Sequence, residues 1–189
     1  MTAGVEKYIP SEVGKDLRQG EILSDVVQVR LREGATLSGP DPRELVEVTH
    51  EWVIIVTQDC DLEQDWRARA GQTGEDKLLP NVLLGIAQEA GKVQVPGKDA
   101  WKRLQQNKDE RYQFLERIPP RLDALGQGVP ELVVDFKQYF TLPTDELYRR
   151  VKEQAKRRSR LSNEYLAHFA SRFSYFQSRV ALPDEHASQ

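Results

Sequence analysis

The sequence predicts an α+β chain, a small, partly open antiparallel β-barrel or curled sheet followed by a C-terminal helical pair. Two patterns predict it. Apolar, β-branched segments bounded by glycine, proline or polar turns recur through residues 1–143. From Thr144 onward the apolar spacing becomes that of a helix. A length of 189 residues suits one domain with an appendage, so the division expected is a barrel-like domain at 1–143 and a helical extension at 144–189 packed on it.

Taken in order, EILSDVVQVRL at 21–31 follows Gly20 and reads as the first long strand. A turn-rich gap at 33–42 precedes residues 45–49, which alternate apolar with polar, and 50–56 continues them as one long bent strand or as two. Residues 63–77 are polar, contain glycine and show no apolar period, so they read as a surface loop. LLPNVLLGIA at 78–87 is a buried strand that Pro80 opens. A short helix is expected at 99–106 with Asp99 near its N-cap. Strands at 111–115 and 131–136 flank the loop IPPRLDALGQGVP, and 132–140 is apolar enough to join the sheet. Thr144 reads as an N-cap followed by Asp145 and Glu146, whose charges suit a helix start. That helix carries Leu147, Tyr148, Val151 and Ala155 and runs into KRRSR at 156–160. Ser162 caps a second helix to about Val180, with Leu166, Phe169, Phe173, Phe176 and Val180 on one face. Pro183 ends the pattern.

No segment reaches the roughly 18 apolar residues of a membrane span, and the polar N-terminus lacks a signal-peptide core. With a single cysteine no internal disulfide forms, and a cytoplasmic location is expected. A net charge of −3 argues against a general polyanion binder but leaves room for local basic patches.

Gly20-Glu21-Ile22-Leu23 opening a strand, then Val53-Ile54-Ile55-Val56-Thr57 and Pro80-Asn81-Val82-Leu83-Leu84, resemble the first half of the MazF/PemK family of toxin ribonucleases over residues 18–87. The resemblance implies an SH3-like barrel, dimerisation and metal-independent cleavage of single-stranded RNA. The family's glycine-acid-aliphatic opening maps to Gly20, Glu21 and Ile22, and its hydroxyl at the end of the central strand maps to Thr57. The basic residue that precedes that strand in the family is replaced here by His50, Glu51 and Trp52.

The stretch VTQDCDLEQD concentrates acids around Cys60. Asp59, Asp61, Glu63 and Asp65 fail as a calcium loop, because Gln64 occupies the position that needs glycine and Ala70 the position of the bidentate acid. Asp59 and Asp61 with a distant acid such as Asp135 would serve a magnesium site, or the aspartates simply cap a turn or helix start. Cys60 could be a nucleophile with His50 or His168 as base, but the flanking aspartates disfavour a thiolate, and a small buried side chain is the plainer reading. The few, scattered histidines suggest no zinc site.

Arg149, Arg150, Lys152, Lys156, Arg157, Arg158 and Arg160 form the densest basic run. On a helix they would make a positive strip for phosphates, with Tyr148 and Tyr165 to stack on bases, or else a solvated face offset by Glu146, Glu153 and Glu164. Arg111 and Tyr112 read as a phosphate clamp with an aromatic platform, or as a strand edge. The aromatic stripe is core or the seam of a homodimer through the C-terminal helix.

Two functions follow as expectations. One is a non-catalytic module that binds nucleic acid or a larger protein partner, without a cofactor, in a prokaryotic toxin-antitoxin or defence-type system. The other is a nuclease or other phosphodiester hydrolase built on Thr57, Asp59 and Asp61, and only there would magnesium enter.

Overall fold

The structure, a computed structural model, describes residues 6–32 and 45–179. The expected turn at 33–42 and the end of the last helix at Val180 lie outside them. The chain is α+β, and its described residues form seven antiparallel strands in one open sheet: β1 (Tyr8–Pro10), β2 (Glu21–Leu31), β3 (Leu45–Ile55), β4 (Asn81–Glu89), β5 (Tyr112–Leu115), β6 (Leu132–Pro143) and β7 (Lys156–Leu161). Their order is β1-β7-β2-β3-β4-β6-β5. Four α-helices accompany it among the described residues: α1 (Asp59–Arg69), α2 (Gly97–Gln105), α3 (Thr144–Glu153) and α4 (Asn163–Ser178). Among the described residues no helix is long and apolar enough to cross a membrane.

The period-2 pattern of the central strands sends alternate side chains to two cores. Ile22, Trp52, Ile54, Val134 and Phe136 lie on the face covered by Phe169 and Phe176 of α4. Leu23, Val53, Ile55, Val82 and Leu84 lie on the other, beneath Leu62 of α1 and Leu147 of α3. Leu104 of α2 closes a smaller core over Phe114 and Val133. The aromatic stripe of α4 is therefore core: Phe136 meets the rings of Phe169, Phe173 and Phe176 at centroid distances of 5.9, 5.5 and 5.8 Å.

Two irregularities shift the phase of that alternation. Asp25, at φ 60°, bends β2 so that Leu23 and Val26 reach the same core although they stand three apart. In β6 the register slips between the pairs Gly85↔Tyr139 and Ala87↔Val134, which sends Phe136 to one face and Phe140 to the other. Gly20, in the turn just before β2, has φ +73°, and a Cβ there would sit 2.8 Å from the Leu166 side chain, so this turn requires glycine.

The sheet curls without closing. Edge strands β1 and β5 share no ladder, yet Tyr8 and Leu115 enter the same core, and Lys7 pairs with Glu116 across the gap. The edge of β5 is blunted by side chains: Asn107 accepts from Phe114 N and donates to Phe114 O, and Arg172 donates to Tyr112 O.

Three local expectations are corrected. Residues 59–69, read mostly as loop, form α1. This helix has no apolar stripe; it is held by first-turn Asp59 and Asp61, last-turn Arg67 and Arg69, and the i,i+4 pairs Glu63–Arg67 and Asp65–Arg69. Residues 156–161, read as the basic end of a helix, form strand β7 between β1 and β2, so it separates α3 from α4. Thr144 is the first residue of α3 with Pro143 at the N-cap position, and its buried hydroxyl has no partner among the described residues. Ser162 does occupy the N-cap position of α4, without a side-chain capping bond.

Candidate functional site

The acidic rim lies where β3 turns into α1. Its polar groups are largely committed. The Thr57 hydroxyl accepts a hydrogen bond from Leu83 N at 2.7 Å, tying the end of β3 to β4. Asp59 accepts from Gln19 N at 2.7 Å and from Arg18 Nε at 3.0 Å, with a second bond from the same guanidinium. Burial alone would raise the Asp59 carboxyl, but the bonds from Arg18 and Gln19 outweigh it and hold it below the usual carboxylate range. Asp59 thus anchors the turn before β2 to the start of α1. Asp61 is exposed. Cys60 is exposed as well, against the buried reading, with its Sγ 3.7 Å from Gln58 Oε1 and from Asp61 Oδ1. Together these residues line an open groove of about 560 Å³ facing Ala170, Phe173 and Ser174 of α4.

Neither a magnesium triad nor a cysteine–base pair is brought together there. Asp135 is held by Arg111 and by Lys137 N at the β6 bulge, and among the described residues no three His, Cys, Asp or Glu side chains are grouped to hold a metal. His50 stacks on Phe140 at 4.5 Å and meets Gln28 at 3.0 Å.

The basic run divides between two environments. In β7, Arg157 is buried and bonds Glu21 at 2.6 and 2.9 Å and the carbonyls of Lys15 and Asp16 at 2.7 Å. Glu21, the acid of the toxin-like opening, is thus the counter-ion of an arginine brought from the far end of the chain. Arg158 points to the opposite face, lies over Trp52 and bonds Asp123 twice at 2.8 Å. Asp123 also collects the amides of Leu125, Gln127 and Gly128, organising the loop between β5 and β6. Arg160 is half-buried near Glu12, and Lys156 is exposed. In α3, Arg150 is buried against Glu146, whereas Arg149 and Lys152 are exposed.

Those two exposed cations open onto a groove of about 670 Å³ between α1 and α3, which also contains Trp66, Arg69, Leu78 and Tyr148. Trp66 and Tyr148 stand 5.8 Å apart, and Arg69 lies 5.3 Å over the Tyr148 ring while pairing with Asp65 and Asp145. Trp66 and Arg69 were hidden in a segment without apolar period; a tryptophan in so polar a stretch was the one available signal. Arg111 does lie over Tyr112, at 4.8 Å, but its guanidinium is bound twice by Asp135.

No protein-family model, curated protein or solved structure matches the chain.

Proposed function

We propose that the chain is a non-catalytic nucleic-acid-binding module, of the kind a prokaryotic toxin-antitoxin or defence-type system uses, with the α1–α3 groove as its contact surface. The observation that carries this reading is the convergence of two aromatic rings, Trp66 and Tyr148, with the exposed cations Arg149 and Lys152 in one groove, where Arg69 is already held by Asp65 and Asp145. Aromatic faces stack on unpaired bases, each stack contributing about 1–3 kcal/mol, while neighbouring cations follow the phosphates. The ion pairs of Arg149 with Glu146 and Glu153 are solvent-exposed, so its guanidinium is free to exchange a carboxylate for a phosphate.

Titration with single-stranded RNA and with duplex DNA at two salt concentrations, followed by tryptophan fluorescence, tests the reading. Binding is expected to favour the single strand, weaken with salt, and fall in Trp66→Ala and in Lys152→Ala. No salt-sensitive binding at low salt would overturn it.

A protein partner is the second reading, favoured by Trp66 and Leu78, 37% and 40% exposed in the same groove. The hydrolase alternative has less support, because Thr57 and Asp59 already serve as structural bonds. Cleavage assays with and without magnesium on Asp59→Ala and Asp61→Ala address it, and activity surviving both would remove the rim as its site.

A further inference from the structure

We propose that the gap between the two sheet edges, β1 and β5, is a binding pocket for a single nucleobase, with Gln113 as the residue that recognises it. The pocket stands apart from the α1–α3 groove, on the α4 side of the sheet. It has a volume of about 160 Å³ and is lined by Lys7, Tyr8, Gln113, Glu116, Tyr165 and His168, among others.

Gln113 lies on β5 with its side chain on the face opposite Phe114, and it is only 6% exposed. Its amide nitrogen donates to Phe114 O at 3.2 Å, which orients the group. The amide oxygen that remains is buried and has no hydrogen-bond partner among the described residues. A buried carbonyl left unpaired costs free energy, so a group that brings it an N–H donor gains affinity there. Gln113 is one of the residues that line the pocket, so an occupant seated beside it is placed to bring that donor.

Size and shape narrow the occupant. The volume is well below the roughly 300 Å³ at which sites for drug-sized ligands begin, and it corresponds to about five waters at roughly 30 Å³ each, so one small ring fits and a larger ligand does not. Tyr8 and Tyr165 give the pocket aromatic walls, which suit a flat ring. An added peptide strand is excluded along this edge, because Asn107 already takes both the N–H and the C=O of Phe114. At the mouth, the Lys7 ammonium lies 5.5 Å over the Tyr165 ring and pairs with exposed Glu116, a contact that a sugar-linked phosphate would compete for. Burial and Arg172 lower the His168 imidazole, which keeps it neutral near pH 7 and able to give or take a hydrogen bond. A planar heterocycle with an N–H edge and an attached phosphate is a nucleotide. Its source is either a free mononucleotide or an unstacked base at the end of a strand.

Calorimetric titration of the full chain with AMP, GMP, CMP and UMP, and with the corresponding nucleosides, tests the proposal. At least one base is expected to bind saturably. Gln113→Leu should weaken that binding by about tenfold or more without lowering the unfolding temperature, since it removes an unpaired oxygen and Asn107 still bonds Phe114 O. Lys7→Ala should weaken the nucleotide and leave the nucleoside unchanged. Displacement of the mononucleotide by a single-stranded oligonucleotide would assign the base to a strand, and failure to displace it would assign the site to free nucleotide. Absence of binding by every nucleotide and nucleoside overturns the proposal, as does undiminished binding by a folded Gln113→Leu. Should that variant not fold, Tyr165→Ala decides, and unchanged affinity there overturns the proposal equally.

Discussion

Arg149 and Arg157 belong to one basic run, yet they occupy opposite kinds of environment. Arg149, on α3, holds Glu146 and Glu153 at the surface, where water and salt screen the pairs. Arg157, in the interior strand β7, holds Glu21 with the two side chains 4% and 0% exposed. Charge density along a sequence therefore says little about which cations are available to a ligand. What decides availability is whether the strand or helix that carries the cation is covered on that side.

The comparison predicts a steep ranking of substitutions. Arg157→Ala has the largest effect, about 3–5 kcal/mol of lost stability, because Glu21 is left as an uncompensated buried charge. Urea unfolding measures it, and a loss no greater than that of a surface variant would break the contrast between Arg157 and Arg149. Asp123→Asn comes next, at about 2–3 kcal/mol, since Arg158 loses its counter-ion while an amide oxygen still receives part of the loop.

Acidification sharpens the same contrast. For Asp59, Asp123 and Asp135, burial alone would raise the carboxyl, but the bonds from Arg18, Arg158 and Arg111 and from nearby amides outweigh it, and each lies below its ordinary value. Folding therefore favours the ionised forms. Their contribution is present above the unfolded-chain value of about 3.9 and is lost as pH falls through the lower folded values. Urea midpoints should drop below about pH 4, and Asp123→Asn should show a shallower drop than the parent chain. The smallest effect on stability belongs to Arg149→Ala with Lys152→Ala, which should leave the unfolding temperature unchanged while flattening the salt dependence of RNA binding. A large thermal shift in that double variant would show that the α3 cations are structural after all.

Legibility followed apolar pattern. The bounds of β2 match the segment read from EILSDVVQVRL, and α4 with its phenylalanine stripe was visible because 3.6-residue spacing of large apolar groups has no other stable use. Helix α1 escaped notice because Leu62 and Asp65 are its only buried residues and charge pairing rather than a stripe supports it. Strand β7 was not legible because two of its four buried positions are arginines, Arg157 and Arg158, whose burial depends on acids far along the chain. The stretch from Thr57 to Asp61 lies in the turn after β3 and the start of α1, and its chemistry was not legible, since Asp59 is bonded to Arg18, 41 residues away.

By itself the sequence determined the α+β class, the long central strands and the amphipathic last helix, because these follow from local periodicity and the need to bury apolar faces. Only the tertiary structure decided that Arg157 and Arg158 are buried counter-ions, that Trp66 and Tyr148 share a groove, and that Gln113 faces a gap between β1 and β5. Those outcomes depend on contacts between distant residues. A charge or an amide carries no local mark of the partner that will meet it.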